Sequence, residues 1–277
     1  MKTHDVKKKK ITSPQNPLIR ELLRIKKDPS RGAFVIEGPH LVQAALESGA
    51  ALDAVLLTPG FLARLAAEKG FLFLNLLEGR SAARLFEVPE PLFKRLAETK
   101  APQGIIARCS LGPVSLRDLK IKKTALIAIS DGITEPGNLG ALIRAADAAG
   151  ADACIVTPGS AGVFSQKTLR ASAGGVFHLP VIEAGIEELG RYLKERNILL
   201  AAADAHRGKS IYETGLGGPL AVAFGSEAHG LSPELLARAG MLLKIPMRGG
   251  AESLNVGAAA AVVLFEAVRQ RAGSKRA

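Results

Sequence analysis

Residues 124–149 read TALIAISDGITEPGNLGALIRAADAA. The first six positions are almost all apolar, which is typical of a strand covered on both faces of a parallel sheet. A glycine-punctuated loop, residues 131–140, follows it, and the apolar spacing after the loop predicts a helix over residues 139–149. A strand, a loop and a helix in this order indicate an α/β fold.

The same alternation continues toward the C-terminus. Continuous apolar strands mean a mostly parallel sheet with flanking helices. The predicted strands are residues 124–129, 153–156, 198–203, 220–224 and 241–245, and the predicted helices are residues 139–149, 187–196, 233–239 and 256–271.

Upstream, the pattern predicts a smaller α/β domain that begins with an amphipathic helix over residues 17–27. Further strands are predicted at residues 33–36, 54–57, 71–74 and 104–109, and helices at 39–47, 61–68, 81–86 and 90–98. Residues 111–116 are rich in turn formers and residues 120–123 are charged, so the linker is predicted here. The predicted division is residues 1–108, a linker over 109–123, and residues 124–277.

Charge is unevenly distributed along the chain. The 277 residues are 47% hydrophobic and 23% charged, which excludes a disordered polar chain, and the formal net charge is +11. Residues 1–31 hold ten basic and three acidic residues and so carry most of that excess. The net charge favours an acidic partner, either nucleic acid or an anionic membrane surface. The N-terminal arm itself either contacts nucleic acid phosphates or is a solvated tail. No apolar run reaches the length of about 18 residues that a membrane span needs.

The cysteines and the N-terminus bear on localisation. Cys109 and Cys154 each stand alone in an apolar run, which indicates two buried thiols in a reducing compartment. No Cys or His pair has zinc-ligand spacing, so no metal is predicted. No apolar signal segment follows Lys7–Lys10, and a cytoplasmic protein is expected.

Three glycine-containing loops follow predicted strands, at residues 131–140, 225–231 and 245–257. Ligands of parallel α/β sheets bind at the carboxyl ends of strands, so a ligand site is expected here, although ordinary strand-to-helix turns are the alternative. The loops lack the dinucleotide-binding fingerprint, the phosphate-binding P-loop and the nucleophile-elbow spacing. The residues alone therefore leave the chemistry of this site open.

Three ordered motifs resemble those of the SpoU/TrmH family, the S-adenosylmethionine-dependent RNA 2′-O-ribose methyltransferases of the SPOUT class. They are Asp131-Gly-Ile-Thr-Glu-Pro-Gly-Asn138-Leu-Gly-x3-Arg144, Phe224-Gly225-Ser-Glu227-x2-Gly230-Leu231, and Ile245-Pro246-Met247-x5-Ser253-Leu254-Asn255-Val256. The N-terminal part resembles the substrate-binding domain common in this family. It carries Ile11-Thr12-Ser13-x2-Asn16-Pro17, Phe34-x2-Glu37-Gly38 and Pro102-Gln103-Gly104.

The resemblance implies a fold that the general scarcity of knots would exclude. The expected C-terminal domain is a trefoil-knotted, mostly parallel sheet with flanking helices, and the smaller N-terminal α/β domain would bind the RNA substrate. The family also implies a homodimer with active sites near the subunit interface.

The resemblance also implies roles for residues of the three loops. The catalytic set would be Arg144, Asn138, Glu227, Ser253 and Asn255. The family proposal makes Arg144 a general base. Because a guanidinium stays protonated and has no acceptor, phosphate binding and alkoxide stabilisation are physically easier roles. Asn255 has an alternative role as the cap of the last helix.

The resemblance places the methyl donor, S-adenosylmethionine, against the second and third motifs. The expected cofactor-binding residues are Gly225, Glu227, Gly230, Ile245, Met247, Ser253 and Leu254. Without the motif, Ile245, Met247 and Leu254 would be interpreted as core residues about as readily as cofactor-binding residues. RNA phosphates would be contacted by Lys7, Lys8, Lys9, Lys10, Arg20, Arg31 and Arg170. For Arg170, a dimer contact or a solvated helix turn is an alternative.

The expected function is methyl transfer to a ribose 2′-hydroxyl of RNA, with ribosomal RNA the leading substrate and transfer RNA the alternative. A non-catalytic RNA-binding protein of the same fold and a methyltransferase that acts on a base are two further hypotheses. The presence of Asn138, Arg144, Glu227, Ser253 and Asn255 argues against the non-catalytic hypothesis.

Overall fold

The computed structural model describes residues 8–67 and 84–273. The chain divides into two compact units, and each is an α/β unit with its own sheet. One unit comprises the chain up to Pro113 together with Phe164–Leu169, and the other comprises Val114–Val163 and the chain from Arg170 onward.

The first unit contains a five-stranded mixed sheet in the order β1-β4-β3-β5-β2, in which β5 runs antiparallel to both of its neighbours. Its elements are β1 (Lys8–Lys10), α1 (Pro17–Lys27), β2 (Phe34–Glu37), α2 (Pro39–Ser48), β3 (Ala51–Leu57), α3 (Pro59–Ala67), β4 (Arg84–Glu87), α4 (Glu90–Leu96) and β5 (Ile105–Ser110). Helix α1 buries Ile19, Leu22 and Ile25, as its predicted amphipathic pattern requires.

The prediction of a helix over residues 81–86 was wrong. Arg84–Glu87 is strand β4, because Leu85 and Phe86 are both buried and the strand lies between β1 and β3. Residues 81–83 and the strand predicted over 71–74 lie outside the described residues. A four-residue segment is too short for sequence periodicity to distinguish a strand from a helix.

The lysine-rich arm was not predicted to be a strand. Lys8–Lys10 pair with β4 in parallel as the edge strand β1, and all three residues are exposed. Lysine is depleted in strands in general, but it is one of the residues by which exposed sheet edges avoid pairing with other chains.

The second unit contains a seven-stranded sheet in the order β10-β12-β9-β11-β6-β7-β8, and every neighbouring pair is parallel. The mostly parallel sheet with flanking helices is therefore confirmed. The elements from residue 126 onward are β6 (Leu126–Asp131), α5 (Pro136–Ala148), β7 (Ala153–Val156), α6 (Gln166–Ala171), α7 (Gly175–His178), β8 (Val181–Glu183), α8 (Ile186–Glu195), β9 (Leu199–Ala203), β10 (Lys209–Ser210), β11 (Leu220–Gly225), α9 (Pro233–Leu236), β12 (Met241–Lys244) and α10 (Val256–Gly273). Most of α6 lies in the Phe164–Leu169 segment of the first unit, and the other elements belong to the second unit.

The predicted linker, residues 109–123, contributes to both units. Cys109 and Ser110 close strand β5, whereas Leu116 and Leu119 are buried in the core of the second unit. The division between the units falls at Pro113 and Val114. The predicted linker is too long because Leu116 and Leu119, which belong to the core of the second unit, stand among turn-forming and charged residues in the sequence.

The last helix packs closely against α5. A Cβ on Gly257 would lie 2.5 Å from the Cβ of Ala141, so glycine is required for this approach.

Both cysteines, Cys109 and Cys154, are free thiols and both are buried, as the sequence predicted. Burial raises the pKa of each thiol to about 12. Within residues 8–67 and 84–273, no helix is long and apolar enough to cross a membrane. The trefoil knot remains a prediction.

Candidate active site

The three predicted loops follow strands of one parallel sheet. The first loop (residues 132–135) follows β6, the second loop (residues 226–232) follows β11, and the third loop (residues 245–255) follows β12. Because parallel strands end at the same edge, these loops share the carboxyl edge of the sheet, which is where ligands of such sheets bind.

A hydrogen-bonded triad of side chains joins the three motifs. Asn138 Nδ2 donates to Glu227 Oε1 over 2.7 Å, and Asn255 Nδ2 donates to Asn138 Oδ1 over 2.8 Å and to Glu227 Oε1 over 3.2 Å. Asn138 is 89 positions from Glu227 and 117 positions from Asn255 in the chain, so only the folded sheet brings them together. We call this set the Asn-Glu-Asn triad.

Two side chains of the triad region also cap helices. The Glu135 side chain accepts from the Asn138 amide at the start of α5, and Asn255 Oδ1 accepts from the Gly257 amide at the start of α10. The alternative role that the sequence left open for Asn255 is thus a second role, because its Oδ1 caps the helix while its Nδ2 joins the triad. Each cap fixes the backbone from which a triad side chain projects.

A cavity of about 680 Å³ opens beside the second and third loops. Its lining includes every residue predicted to hold the donor, namely Gly225, Glu227, Gly230, Ile245, Met247, Ser253 and Leu254. The cavity is within the usual size range of small-molecule sites, about 300–1,000 Å³. The sequence prediction therefore converges on one place in the fold, and the individual roles remain proposals.

The residues of this cavity suit a nucleoside sulfonium. Phe224, Leu243, Ile245 and Val263 give it apolar walls, as is usual for sites of small organic ligands. Its polar lining residues include Ser226, Glu227 and Ser253. The second loop is folded tightly, since Ser226 and Gly230 exchange backbone hydrogen bonds of 3.0 and 2.8 Å.

Arg144 projects from α5 and is exposed. Among the described residues its side chain has no hydrogen-bond or ion-pair partner, so the guanidinium is available for a ligand. Side chains of a helix tilt toward its N-terminus, which is the end at which Asn138 lies. Ser253 is also exposed, on the third loop at the cavity.

Sequence reasoning assigned no role to Asp131, which the structure places at the centre of the loop scaffold. This carboxylate is 3% exposed, and it accepts from Thr157 Oγ1 over 2.9 Å and from the Ser232 amide over 2.7 Å. It therefore ties the end of β6 to the loops after β7 and β11. The signals in the sequence were its position at the end of an apolar strand and its place as the first residue of the first motif.

Replacing Asp131 with asparagine is expected to lower the free energy of unfolding by about 1–3 kcal/mol, because one buried hydrogen bond loses its acceptor. Urea denaturation measures the change. The exposed Asp118 is a matched control, and Asp118→Asn should alter stability far less. Equal stability of Asp131→Asn and the unchanged protein would contradict the scaffold role.

The loop after β9 was also missed. Asp204, His206 and Arg207 line the cavity, and Asp204 accepts from the amides of the other two and from Nε and Nη2 of Arg207 over 2.8–3.0 Å. Burial alone would raise the pKa of Asp204, but the hydrogen bonds from Arg207 and His206 hold that pKa below its ordinary value. Gly208 follows with φ +107°, and a Cβ there would lie 2.5 Å from the Leu242 carbonyl. No glycine motif marks this loop in the sequence.

The predicted phosphate-binding residues lie mostly in the first unit, whereas the cavity belongs to the second. Lys8 and Lys10 form ion pairs with Glu87 at 3.2 and 3.6 Å, and the hydrogen bond from Lys8 holds the pKa of Glu87 below its ordinary value. Arg31 donates to the Gly112 carbonyl over 3.3 Å. Lys9, Arg20 and Arg170 are exposed, and Lys7 lies outside the described residues.

Across the described chain, no group of three or more His, Cys, Asp or Glu residues is placed to hold a metal ion.

Comparison with known proteins identifies both halves of the chain. The SpoU rRNA Methylase family model matches residues 125–265, and the MRM3-like substrate binding domain model matches residues 16–107. One relative is the 23S rRNA (guanosine(2553)-2'-O)-methyltransferase RlmP of Bacillus subtilis (strain 168). It is 31% identical over 260 residues, which cover 93% of this chain and 98% of the relative.

Solved structures agree with this match. An RNA 2'-O ribose methyltransferase superimposes with a TM-score of 0.77 at 34% identity, covering 95% of this chain and 99% of that one. The AdoMet-bound rRNA methyltransferase from Sinorhizobium meliloti superimposes with a TM-score of 0.81 at 28% identity, covering 94% and 97%. The family resemblance carried by the three motifs is confirmed, and this chain belongs to the SpoU rRNA methylase family.

Proposed function

We propose that this chain transfers a methyl group from S-adenosylmethionine to a ribose 2′-hydroxyl of ribosomal RNA. The observation that carries the proposal is that the second and third motifs line one cavity and that the Asn-Glu-Asn triad joins the first motif to both of them. The relatives support the substrate class, because RlmP is named as a 23S rRNA 2'-O-methyltransferase and a solved relative holds AdoMet. When bound, that cofactor supplies an electrophilic methyl group on a sulfonium.

The protein's own residues would supply position and charge. The cavity walls and the loop amides would hold the donor with its methyl group toward the triad, which is the orientation effect that brings two reactants into line. Asn138, Glu227 and Asn255 would fix the three loops to one another, and Ser253 would orient the hydroxyl or the donor. Arg144 would bind the phosphate next to the target ribose and stabilise the developing alkoxide.

Methyl incorporation from labelled S-adenosylmethionine tests this proposal. We expect label in ribosomal RNA, and label in transfer RNA alone would establish the alternative substrate. Nuclease resistance at the modified linkage separates ribose methylation from base methylation, because only a 2′-O-methyl group removes the 2′-hydroxyl. The absence of donor binding at millimolar concentration would favour a non-catalytic RNA-binding protein.

We also propose that residues 1–108 bind the RNA and residues 124–277 carry out methyl transfer. The substrate-binding family model over residues 16–107 supports this division. The proposal of a homodimer rests on the family resemblance. That of a metal-independent reaction rests on the lack of zinc-ligand spacing among Cys and His, and that of a cytoplasmic location on the two isolated thiols. Exposed apolar side chains at Leu254 and Phe265, 37% and 47% exposed, are consistent with a second copy covering this part of the second unit.

The basic residues of the first unit are expected to contact phosphates without reading base sequence. Lys9 and Arg20 suit a test, because both are exposed and neither side chain has a partner among the described residues. For Lys9→Glu/Arg20→Glu, RNA affinity should fall by about tenfold, and the slope of affinity against salt should decrease by about 1 for each phosphate that is no longer neutralised.

Filter binding at several salt concentrations measures both quantities. Donor affinity, measured on the same protein, is the control and should not change. An unchanged salt slope would show that the two side chains are solvated surface groups.

A further inference from the structure

The cavity lining carries a charge opposite to that of the whole chain. The chain has a formal net charge of +11, yet the ionisable residues that line the cavity include three carboxylates and one guanidinium. The full set is Asp204, His206, Arg207, Glu227, His229 and Glu252. With the histidines neutral, acidic groups exceed basic groups by two.

Hydrogen bonding separates these carboxylates into one neutralised group and two uncompensated groups. Asp204 and Arg207 offset one another through two side-chain hydrogen bonds of 3.0 and 2.8 Å. Glu227 accepts from the amide groups of Asn138 and Asn255, which are neutral. Glu252 is exposed and its side chain has neither a hydrogen bond nor an ion pair among the described residues.

The reaction removes one positive charge from the ligand in this cavity. The sulfur–methyl bond breaks and its electron pair stays on sulfur, while the ribose oxygen forms the new bond to the methyl group and its proton leaves. The donor is therefore a sulfonium cation, and the product, S-adenosylhomocysteine, is a neutral thioether at the same atom. A nearby carboxylate attracts the first and not the second.

We propose that Glu252 is a specificity-determining residue that makes the cavity prefer the cationic donor to the neutral product. Glu252 lies directly before Ser253 on the third loop, so its charge is carried by the segment predicted to hold the donor. The preference speeds product release and limits product inhibition. This inference rests on the proposed function, because it takes the cavity to be the donor site.

The size of the effect follows from the exposure of Glu252. Solvent and salt screen an exposed charge, so the donor preference due to this residue should be about threefold to tenfold at low ionic strength. It should shrink toward unity near 1 M salt, where the screening length is about 3 Å. Glu227 keeps a similar charge in the cavity, so the preference should fall in a Glu252 variant and not vanish.

Calorimetric titration of Glu252→Gln with three ligands is the test. The ligands are S-adenosylmethionine, S-adenosylhomocysteine and sinefungin, whose amine carries a positive charge near the position of the sulfonium. We expect the Kd of the two cationic ligands to rise about threefold to tenfold and that of the neutral product to change by less than about twofold. Glu213→Gln is the matched control, since Glu213 is exposed in the same unit and does not line the cavity.

Other outcomes overturn the proposal in distinguishable ways. Equal weakening of all three ligands would make Glu252 a residue that shapes the loop. Unchanged affinity for all three would remove it from the donor site, while donor binding itself would leave the proposed function intact. Failure of the unchanged protein to bind the donor would overturn the proposed function and this inference together.

Discussion

Replacing Arg144 with alanine is expected to reduce the rate of methyl transfer about 100- to 1,000-fold, which is the usual cost of removing one preorganised donor to a developing oxyanion. The side chain is exposed and has no partner among the described residues, so it adds little to stability. Donor affinity and the melting temperature should therefore stay close to those of the unchanged protein. Single-turnover methylation, calorimetry and thermal denaturation measure the three quantities.

The Arg144→Lys variant distinguishes the two roles considered for this residue. If Arg144 binds a phosphate and stabilises an alkoxide, lysine should restore part of the rate, because it keeps the charge but lacks the planar fork of donors. If Arg144 acted as a base, only the deprotonated guanidinium would be active. The methylation rate of the unchanged protein should then increase steeply with pH up to high pH. Full activity of Arg144→Ala would remove this residue from the mechanism.

The sequence and the structure agree most closely where apolar runs are long. Strands β6 and β11, six residues each, were predicted to within about two residues at either end, because a continuous apolar run between turn formers has few alternatives. The four-residue strand β4 and the lysine strand β1 were missed, since neither composition nor period marks them and sheet pairing alone decides them.

The candidate site shows the same limit. The motifs placed Asn138, Glu227 and Asn255 together only through resemblance to a family, because contacts over 89 and 117 residues leave no local signal. Asp131 and Asp204 were missed for a related reason. An aspartate at the end of a strand is commonplace. Asp131 accepts from the Ser232 amide of a neighbouring loop and Asp204 from the His206 amide of its own loop, and both contacts are visible only when the loops are folded.

Replacing Gly225 with alanine is expected to abolish donor binding at millimolar concentration or weaken it at least tenfold, which corresponds to about 1.4 kcal/mol. A Cβ at this position would overlap the carbonyl group of Gly230 and the amide of Leu231. Both obstacles are backbone atoms, so no side-chain rotation relieves them, and the tight turn over Ser226–Gly230 must open. Overpacking of this kind also lowers the free energy of unfolding by about 1–3 kcal/mol.

The loops of the site provide a matched control for the same added methyl group. Gly249 lies in the third loop, its φ is not positive, and a Cβ there would have nothing within 4 Å. Gly249→Ala should therefore keep donor affinity within about twofold and, by restricting the unfolded chain, add up to about 1 kcal/mol of stability. If both variants bind the donor equally well, the close approach of Gly225 to Gly230 is not needed for the cavity. If only Gly225→Ala loses the donor, the backbone of the second loop, and not a side chain, forms that wall of the site.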